Sequence, residues 1–399
     1  MHSVICGLDA ASTSAAVCVL STSGAVLHQL SLASSRSAEE QLLSLLPVHS
    51  VVILESTGRY HLPWARRLAN AGHAVYVLNP LLAKRLVTAR NALRQNKTDK
   101  IDARQLAEIG RRDLADLKTY LFKEDPVRVR LRSLCETRSF QRAVLTNTLK
   151  SAQHLLGMIL PEAAMLSLSA NKGLAEFFLS VRSLEHLRRL RRPTIERSCC
   201  THTDTFIQLL KQPLSAAHIF DALLPSLHSQ LKIVITLREQ LIDLDAQIRA
   251  ALRDLPQPED AKLVRTIPGF GARSVPPILA CMPTNWRSWG NKRVIARKLQ
   301  ALFGFDPKLR ESGSWKGKVR MSKRGLEIAR TALFQVAVCS LLYDPDMRRS
   351  YDQQRATGKH HLIALSHVMR RQLQRLVAVL YDQKPFTRIA PPQPTANPC

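Results

Sequence analysis

The chain has 399 residues, with 58 Lys plus Arg against 31 Asp plus Glu, a net charge of +27 and a pI near 10.4. Such an excess attracts polyanions at long range and gives salt-dependent affinity for phosphate backbones. It carries no apolar run of roughly 18 residues and no basic-then-apolar start, which argues against a helical membrane span or a signal peptide. The eight cysteines show no C-x-x-C pair, which speaks against a zinc knuckle or a disulfide framework and reads as reduced thiols in a soluble, cytoplasmic protein.

In chain order, residues 3 to 9, 15 to 20 and 25 to 32 are short apolar runs separated by turn signals, and predict an antiparallel meander. A helix over 37–46, a buried strand over 51–55, a helix over 62–71 and a strand over 74–78 follow. Three strands followed by alternating helix and strand predict an α/β domain, a mixed sheet covered by helices, over residues 1–122. After Asn79 and Pro80 comes a basic stretch with Lys84, Arg85, Arg90, Arg94 and Lys97, leading into a helix over 98–112. Residues 127–160 read as helical with arginines spread along them, and 187–192 as either a phosphate-binding or a merely solvated helix face. From Leu227 to Leu252 apolar residues recur near the helical period, predicting one long amphipathic helix whose stripe faces another part of the chain or a second protomer, the latter somewhat favoured. This completes a helical and coiled-coil region over 123–256; a mainly α domain over 257–386 and a disordered tail over 387–399 complete the predicted organisation.

Asp9 closes the first strand pattern and Glu55 a later one that would lie beside it. Asp99 and Asp102, three apart on a helix, share a face and can point at the same strand ends. Carboxylates brought this close repel unless cations neutralise them. Hard oxygen ligands suit Mg2+ or Mn2+, and two such ions roughly 3.5 to 4 Å apart clamp the attacking and leaving oxygens of a phosphoryl transfer. The bland alternative is that Asp9 and Glu55 are solvated strand ends and that Asp99 and Asp102 are helix N-terminal charges favoured by the macrodipole.

Glu55-Ser56-Thr57-Gly58-Arg59-Tyr60-His61 and Asn96-Lys97-Thr98-Asp99-Lys100-Ile101-Asp102-Ala103 resemble the signatures of the DEDD transposases of the insertion-sequence 110 family. The resemblance implies a RuvC-like, ribonuclease H-type fold for the first domain, with Asp9, Glu55, Asp99 and Asp102 as its metal-binding catalytic set. It covers almost the whole chain and implies a C-terminal transposase type 20 domain. That domain carries a Pro-Gly-x-Gly element, here Ile267-Pro268-Gly269-Phe270-Gly271, then a glycine-and-serine segment. This chain matches the segment with 303–307, Glu311-Ser312-Gly313-Ser314 and 321–325.

The 267–271 element has the form of a helix-hairpin-helix turn, in which Gly269 and Gly271 would let backbone amides face a phosphate; a plain turn between helices would look similar. A serine hydroxyl can attack a phosphodiester and hold the strand end, and the cations around the segment, Arg310, Lys316, Lys318, Arg320, Lys323 and Arg324, would favour the anionic transition state. By chemistry alone Ser312, Ser314 and Ser322 are equivalent; the resemblance places the nucleophile at Ser312. Two departures from the family pattern are Leu326, where Asn is frequent, and Pro276-Pro277, expected to interrupt the helix after the hairpin. His360, His361 and His367 read as contacting solvent or phosphate rather than metal.

The expectation is a DNA transposase and recombinase of an insertion sequence, cytoplasmic and nucleoid-associated in a bacterium. It would use Mg2+ on the carboxylates and Ser312 as nucleophile, with Arg59, Lys84, Arg85, Arg94 and Lys97 among its nucleic-acid contacts. The resemblance further implies a homo-oligomer, a dimer or tetramer, and a structured noncoding guide RNA. Two other readings fit the same residues: a metal-dependent junction nuclease with water as nucleophile, and a non-catalytic nucleic-acid-binding protein.

Overall fold

The computed structural model describes residues 4–56, 58–88, 98–199, 202–308, 311–312, 315–316 and 320–388, with backbone alone at 88, 119, 308, 311–312, 315–316 and 320. The chain divides into two compact units, Met1–Glu124 and Asp125–Cys399.

The first unit begins with the expected meander: β1 (Val4–Ala10), β2 (Ser14–Ser21) and β3 (Val26–Ala33). Helix α1 (Arg36–Leu45), β4 (Val51–Glu55), α2 (His61–Asn70), β5 (Ala74–Leu78), α3 (Pro80–Thr88) and α4 (Asp99–Asp113) follow. The sheet order is β3-β2-β1-β4-β5, with β2 antiparallel to β1 and β3, and β4 parallel to both β1 and β5. This is the mixed sheet anticipated from the strand pattern, in the ribonuclease H-type form that the family resemblance implies. The central strands β1 and β4 are buried on both faces, so they read as continuous apolar runs. On one face Cys6, Leu8, Val52 and Leu54 pack with Trp64 and Leu68 of α2 and Leu42 of α1. On the other, Ile5, Val51 and Ile53 pack with Ala103, Leu106 and Ala107 of α4.

The basic stretch after Pro80 contains a helix, α3, that its charge pattern concealed. Pro80 opens that helix, where a missing amide hydrogen costs nothing, and Ala83 supplies its buried contact.

The second unit contains helices α5 (Pro126–Ile159), α6 (Gly173–Ser180), α7 (Leu184–Arg189), α8 (Arg192–Cys199), α9 (Thr203–Leu210), α10 (Ala217–Arg253), α11 (Glu259–Arg265), α12 (Val275–Ala280), α13 (Lys292–Phe303), α14 (Glu327–Tyr343), α15 (Pro345–Ala356) and α16 (His361–Asp382). The long amphipathic helix starts ten residues before the expected Leu227 and carries Pro225 inside it. A proline removes one helical hydrogen bond, but Phe220 and Leu224 are buried and hold the turn before it in register. Its stripe lies on α5 of the same chain, correcting the preference for a partner-facing coiled coil. The two helices run antiparallel: Gln141 Nε2 donates to Gln240 Oε1 at 3.1 Å, and Arg138 pairs with Asp245. Leu145, Leu156 and Ile159 of α5 join one core with Leu227, Leu231 and Val234 of α10. Leu131 and Cys135 join a second core with Ile248 and Leu252, continued by α11 to α16.

Candidate active site

Strand register brings the first two carboxylates together. Leu8 pairs with Leu54 in the parallel β1–β4 ladder, so Asp9 and Glu55, one residue further on, stand side by side near the carboxyl ends of their strands. By alternation Asp9 shares its face with Ile5 and Gly7, and Glu55 with Val51 and Ile53, which is the face that α4 covers. Helix α4 reaches the sheet closely because position 7 has no side chain. A Cβ there would lie 2.0 Å from the Ala103 carbonyl oxygen and 2.4 Å from the Ala107 nitrogen. Further along, Gly110 sits over Ile53 and Ile5, which sets the direction of the helix: its first turn points to the carboxyl ends of β1 and β4. Thr98 starts that turn, its Oγ1 accepting the Ile101 amide at 3.3 Å, and Asp99 and Asp102 occupy it. Their charges also complement the helix dipole, as do Arg111 and Arg112 at the far end.

Asp9, Glu55 and Asp102 are half-buried and Asp99 is exposed. All four therefore belong to one end of the unit, and as hard oxygen donors they suit a divalent ion of the Mg2+ or Mn2+ type. Among the described residues, no three His, Cys, Asp or Glu side chains stand close enough to hold a metal together. The strand ends and the helix turn bring the four carboxylates to one end of the unit without grouping three of them.

The serine segment lies in the second unit, between α13 and α14. Its backbone forms two nested ribbons: β6 (Pro307–Lys308) pairs with β9 (Arg320–Met321), and inside them β7 (Glu311–Ser312) pairs with β8 (Trp315–Lys316). The base is tied by Lys323 N to Gly304 O, Ser322 N to Asp306 O and Leu326 N to Leu302 O, each at 2.9 Å. Ser312 is on the inner ribbon, opposite Trp315. Ser322 donates its hydroxyl proton to Asp306 and is thereby committed to the base of the ribbon. Ser314 and the side chain of Ser312 lie outside the described residues.

Residues 6–161 match the family described as transposase, DEDD_Tnp_IS110, and residues 261–352 match the transposase IS116/IS110/IS902 family. Together these cover more than half of the chain. The chain belongs to the IS110 family of insertion-sequence transposases. It is 26% identical to an insertion element IS900 uncharacterized 42 kDa protein of Mycobacterium paratuberculosis, over 88% of this chain and 90% of that one. It is 28% identical to an insertion element IS110 uncharacterized 43.6 kDa protein of Streptomyces coelicolor, over 60% of this chain and 57% of that relative. Among solved structures, T. thermophilus RuvC in complex with Holliday junction substrate aligns at 18% identity and a TM-score of 0.21, covering 27% of this chain and 90% of that one. The fold assignment rests on the strand order and not on that overlap.

In this IS110-family chain the cations expected to meet nucleic acid fall into distinct groups. Arg59, Lys84, Arg85, Lys323 and Arg324 are exposed. Arg94, Lys97, Arg310 and Lys318 lie outside the described residues, as do the side chains of Lys316 and Arg320. Several arginines of the long basic helices are occupied within the fold. Arg128 donates to the carbonyls of Leu279 and Met282, at 2.7 and 3.2 Å, and burial holds its pKa below the ordinary arginine value. Arg188 donates to Gln212 O at 3.2 Å, and Arg192 pairs with Asp204 at 2.7 Å, so two arginines of the 187–192 stretch have partners within the fold. Arg142, Lys150 and Arg273 line a cavity of about 1050 Å³ bounded by α5, α10, α12 and α14.

The hairpin sits between α11 and α12 as expected, but its glycines do different work. Gly269, at φ 97°, has its α-carbon against α14: a Cβ would stand 2.8 Å from Val336 O and 2.9 Å from Ser340 Cβ. Its need for glycine is thus met by helix packing. Gly271 is open, but its amide donates to Ser274 Oγ at 2.9 Å. Pro276 and Pro277 fall in the first turn of α12, where proline is tolerated, and so begin that helix instead of interrupting it. Leu326 is the N-cap residue of α14 and makes no capping bond; it packs against the core instead. His360 caps α16 by accepting the Leu362 amide at 3.2 Å, and His361 bonds Tyr351 OH at 2.6 Å.

Sequence reasoning missed a second group near the carboxylate end: Arg36, Tyr60 and Arg67, which line one cavity with Arg59. They come from α1 and from α2 with its N-cap, and only the fold brings the two helices together.

Proposed function

We propose that this chain cuts and rejoins DNA strands as the recombinase of an insertion sequence, with Mg2+ or Mn2+ held by Asp9, Glu55, Asp99 and Asp102. The observation that carries the reading is the β1–β4 register, which sets Asp9 beside Glu55 on the face that the first turn of α4 approaches. A divalent ion bound there supplies positive charge to the phosphoryl oxygens and lowers the cost of the anionic transition state. The four carboxylates would bind and orient it, Asp9, Glu55 and Asp102 from half-buried positions and Asp99 from the exposed side.

Ser312 serves as nucleophile. Its hydroxyl oxygen attacks phosphorus, its proton passes by way of solvent to the leaving sugar oxygen, and a phosphoserine ester replaces the broken phosphodiester. A strand-end hydroxyl then attacks that ester, re-forming a phosphodiester and returning the proton to Ser312. No net bond energy is lost, which suits strand exchange without a nucleotide cofactor. Asp9 and Ser312 lie in different compact units, so the reaction requires both units at one phosphodiester. Partners are the element ends and target DNA, a second or further copies of the chain, and a structured guide RNA. The net charge of +27 and exposed Lys84, Arg85, Lys323 and Arg324 suit phosphate backbones, and the RNA rests on family membership.

The separation of the serine from the carboxylates also supports a second reading, a junction nuclease that uses water as nucleophile. One experiment divides the two. The protein is incubated with the flanking RNA of its element, labelled junction DNA and Mg2+, then run on a denaturing protein gel. A labelled band at the mass of the protein, absent in Ser312→Ala and Asp99→Ala, is the expected result. Cleaved DNA with no such band would establish the nuclease, and intact DNA in every lane would leave a binding protein.

A further inference from the structure

The loop after β1, the start of α1 and one side of α2 enclose a cavity of about 420 Å³ in the first unit. Its wall includes Ala11, Arg36, Glu39, Arg59, Tyr60 and Arg67. Three guanidinium groups against one carboxylate make it an anion-attracting space. Glu40, outside the wall, is 3.2 Å from Arg36 and 3.8 Å from Arg67, and draws on both without neutralising Arg59. The Arg67 Nε is shielded from solvent and has no hydrogen-bond partner among the described residues. A buried donor left unmade is costly, so this one calls for an acceptor. Tyr60 is 52% exposed, a large amphipathic ring presented at the rim with no core to fill.

The position of this cavity defines its use. Ala11 is two residues beyond Asp9 on β1, and Arg59 four beyond Glu55 on β4, so the cavity opens at the same sheet end as the carboxylates. It lies on the opposite face, however, where Trp64 of α2 and Leu42 of α1 pack. Two residues of chain span at most about 7 Å, and two stacked nucleotides cover much the same distance at ~3.4 Å per phosphate. A strand passing over the sheet end from one face to the other would meet both places in turn.

We propose that this cavity is a nucleotide subsite of the DNA strand, one or two nucleotides from the phosphodiester at the carboxylates. Arg36, Arg59 and Arg67 take the phosphate, and the Tyr60 ring stacks on the base. Arginine forks fit phosphate oxygens in pairs, and base stacking on an aromatic ring is tolerant of sequence. The subsite deepens the reading of the carboxylate end as the reaction centre and rests on it for its place along the strand.

The test is fluorescence anisotropy of a short labelled single-stranded DNA with the full chain in EDTA, over a salt series, so that no metal-dependent step enters. Tyr60→Ala should weaken binding about tenfold, and Tyr60→Phe should restore most of it. The Arg59→Gln/Arg67→Gln pair should weaken binding several-fold and lower the salt slope by ~0.7 for each phosphate that is no longer neutralised. Glu39→Gln, which removes the carboxylate of the cavity wall, should tighten binding, and this variant holds the test open if another fails to fold. Asp9→Asn should bind as the parent does while losing cleavage in Mg2+, which separates a failure of the subsite from a failure of the reaction centre. Unchanged affinity and slope in the arginine and Tyr60→Ala variants, or losses confined to an RNA strand of the same sequence, would overturn the proposal.

Discussion

Gly7 of β1 and Ala103 of α4 are packed backbone to backbone, and a methyl group at position 7 would need the space held by the Ala103 carbonyl oxygen. This close approach fixes how near the turn bearing Asp99 and Asp102 comes to Asp9. Because both neighbours are main chain, no rotamer change relieves the clash. Gly7→Ala should therefore destabilise the first unit by about 1–3 kcal/mol or more, read as a lower urea midpoint. In whatever protein remains folded, Mn2+ affinity should fall as α4 is pushed from the sheet. An unchanged midpoint would show that α4 can move freely, and that the sheet does not set the position of its first turn.

The two hairpin glycines give opposite expectations. Gly269→Ala strains a φ of 97° and drives a methyl into α14, and should cost about 1–3 kcal/mol. Gly271→Ala meets nothing within 4 Å and should shift stability by less than about 0.5 kcal/mol. With its amide already given to Ser274, Gly271→Ala should also leave DNA affinity as it is. A marked loss of affinity in a fully stable Gly271→Ala would favour the phosphate-binding reading of the hairpin.

In the second unit Asp344 is almost wholly buried, its side chain 1% exposed, and accepts from Arg375, Arg388 and the Asp346 amide. Asp344→Ala removes the cap of α15 and leaves Arg375, whose guanidinium lies over the Phe386 ring at 4.7 Å, with Asp346 as its remaining carboxylate at 3.3 Å. The expected loss is about 2–4 kcal/mol in chemical denaturation. Arg375→Met should lose less, because Arg388 and the amide still hold the carboxylate. Equal losses would mean that Arg388 contributes nothing.

Acid should weaken the fold in two stages. Burial, and then the neighbouring His49, lower the pKa of His73; burial, Lys359 and Arg370 lower that of His367. An unfolded histidine titrates near ~6.5, so below that pH the unfolded chain takes protons that the folded chain refuses, and stability drops until the folded values are passed. Asp346 acts lower: a hydrogen bond from Arg349 holds its pKa below the usual carboxylate value, so its contribution is complete above ~3.9 and is lost as pH falls through the folded value. Urea midpoints at about pH 7.5 and 5.5 should differ in the parent and converge in His73→Gln/His367→Gln. A parent midpoint that does not fall between those pH values would contradict the histidine assignment.

Much of the first unit is legible in residue order. Strands β1 to β5 show themselves by apolar runs of strand length, and Asp9 and Glu55 by ending two of them. Thr98 followed by Asp99 and Asp102 reads as a helix start, and is one. What a sequence does not express is distance across the fold. The α10 stripe fits α5 or another protomer, because a stripe states only that it is covered. The ribbons around Ser312 are pairs of two residues in a basic segment, too short for any alternation to register. Arg128 and Arg138 resemble phosphate ligands because a charged residue carries no mark of an internal acceptor. The cavity around Tyr60 is invisible for a similar reason: its arginines are 23 and 8 positions apart in the chain, at 36, 59 and 67.

Helices α5 and α10 each run through both cores of the second unit, one core with Leu145 and Leu231, the other with Leu131 and Ile248. The pair therefore acts as a ruler with angular as well as linear graduations. One residue added to α5 between Leu131 and Leu145 would advance everything beyond it by about 1.5 Å and turn it by about 100°. Substitutions along this stretch can be absorbed singly, but a change in length cannot, and the helix that best tolerates drift in composition is the one least able to tolerate drift in count.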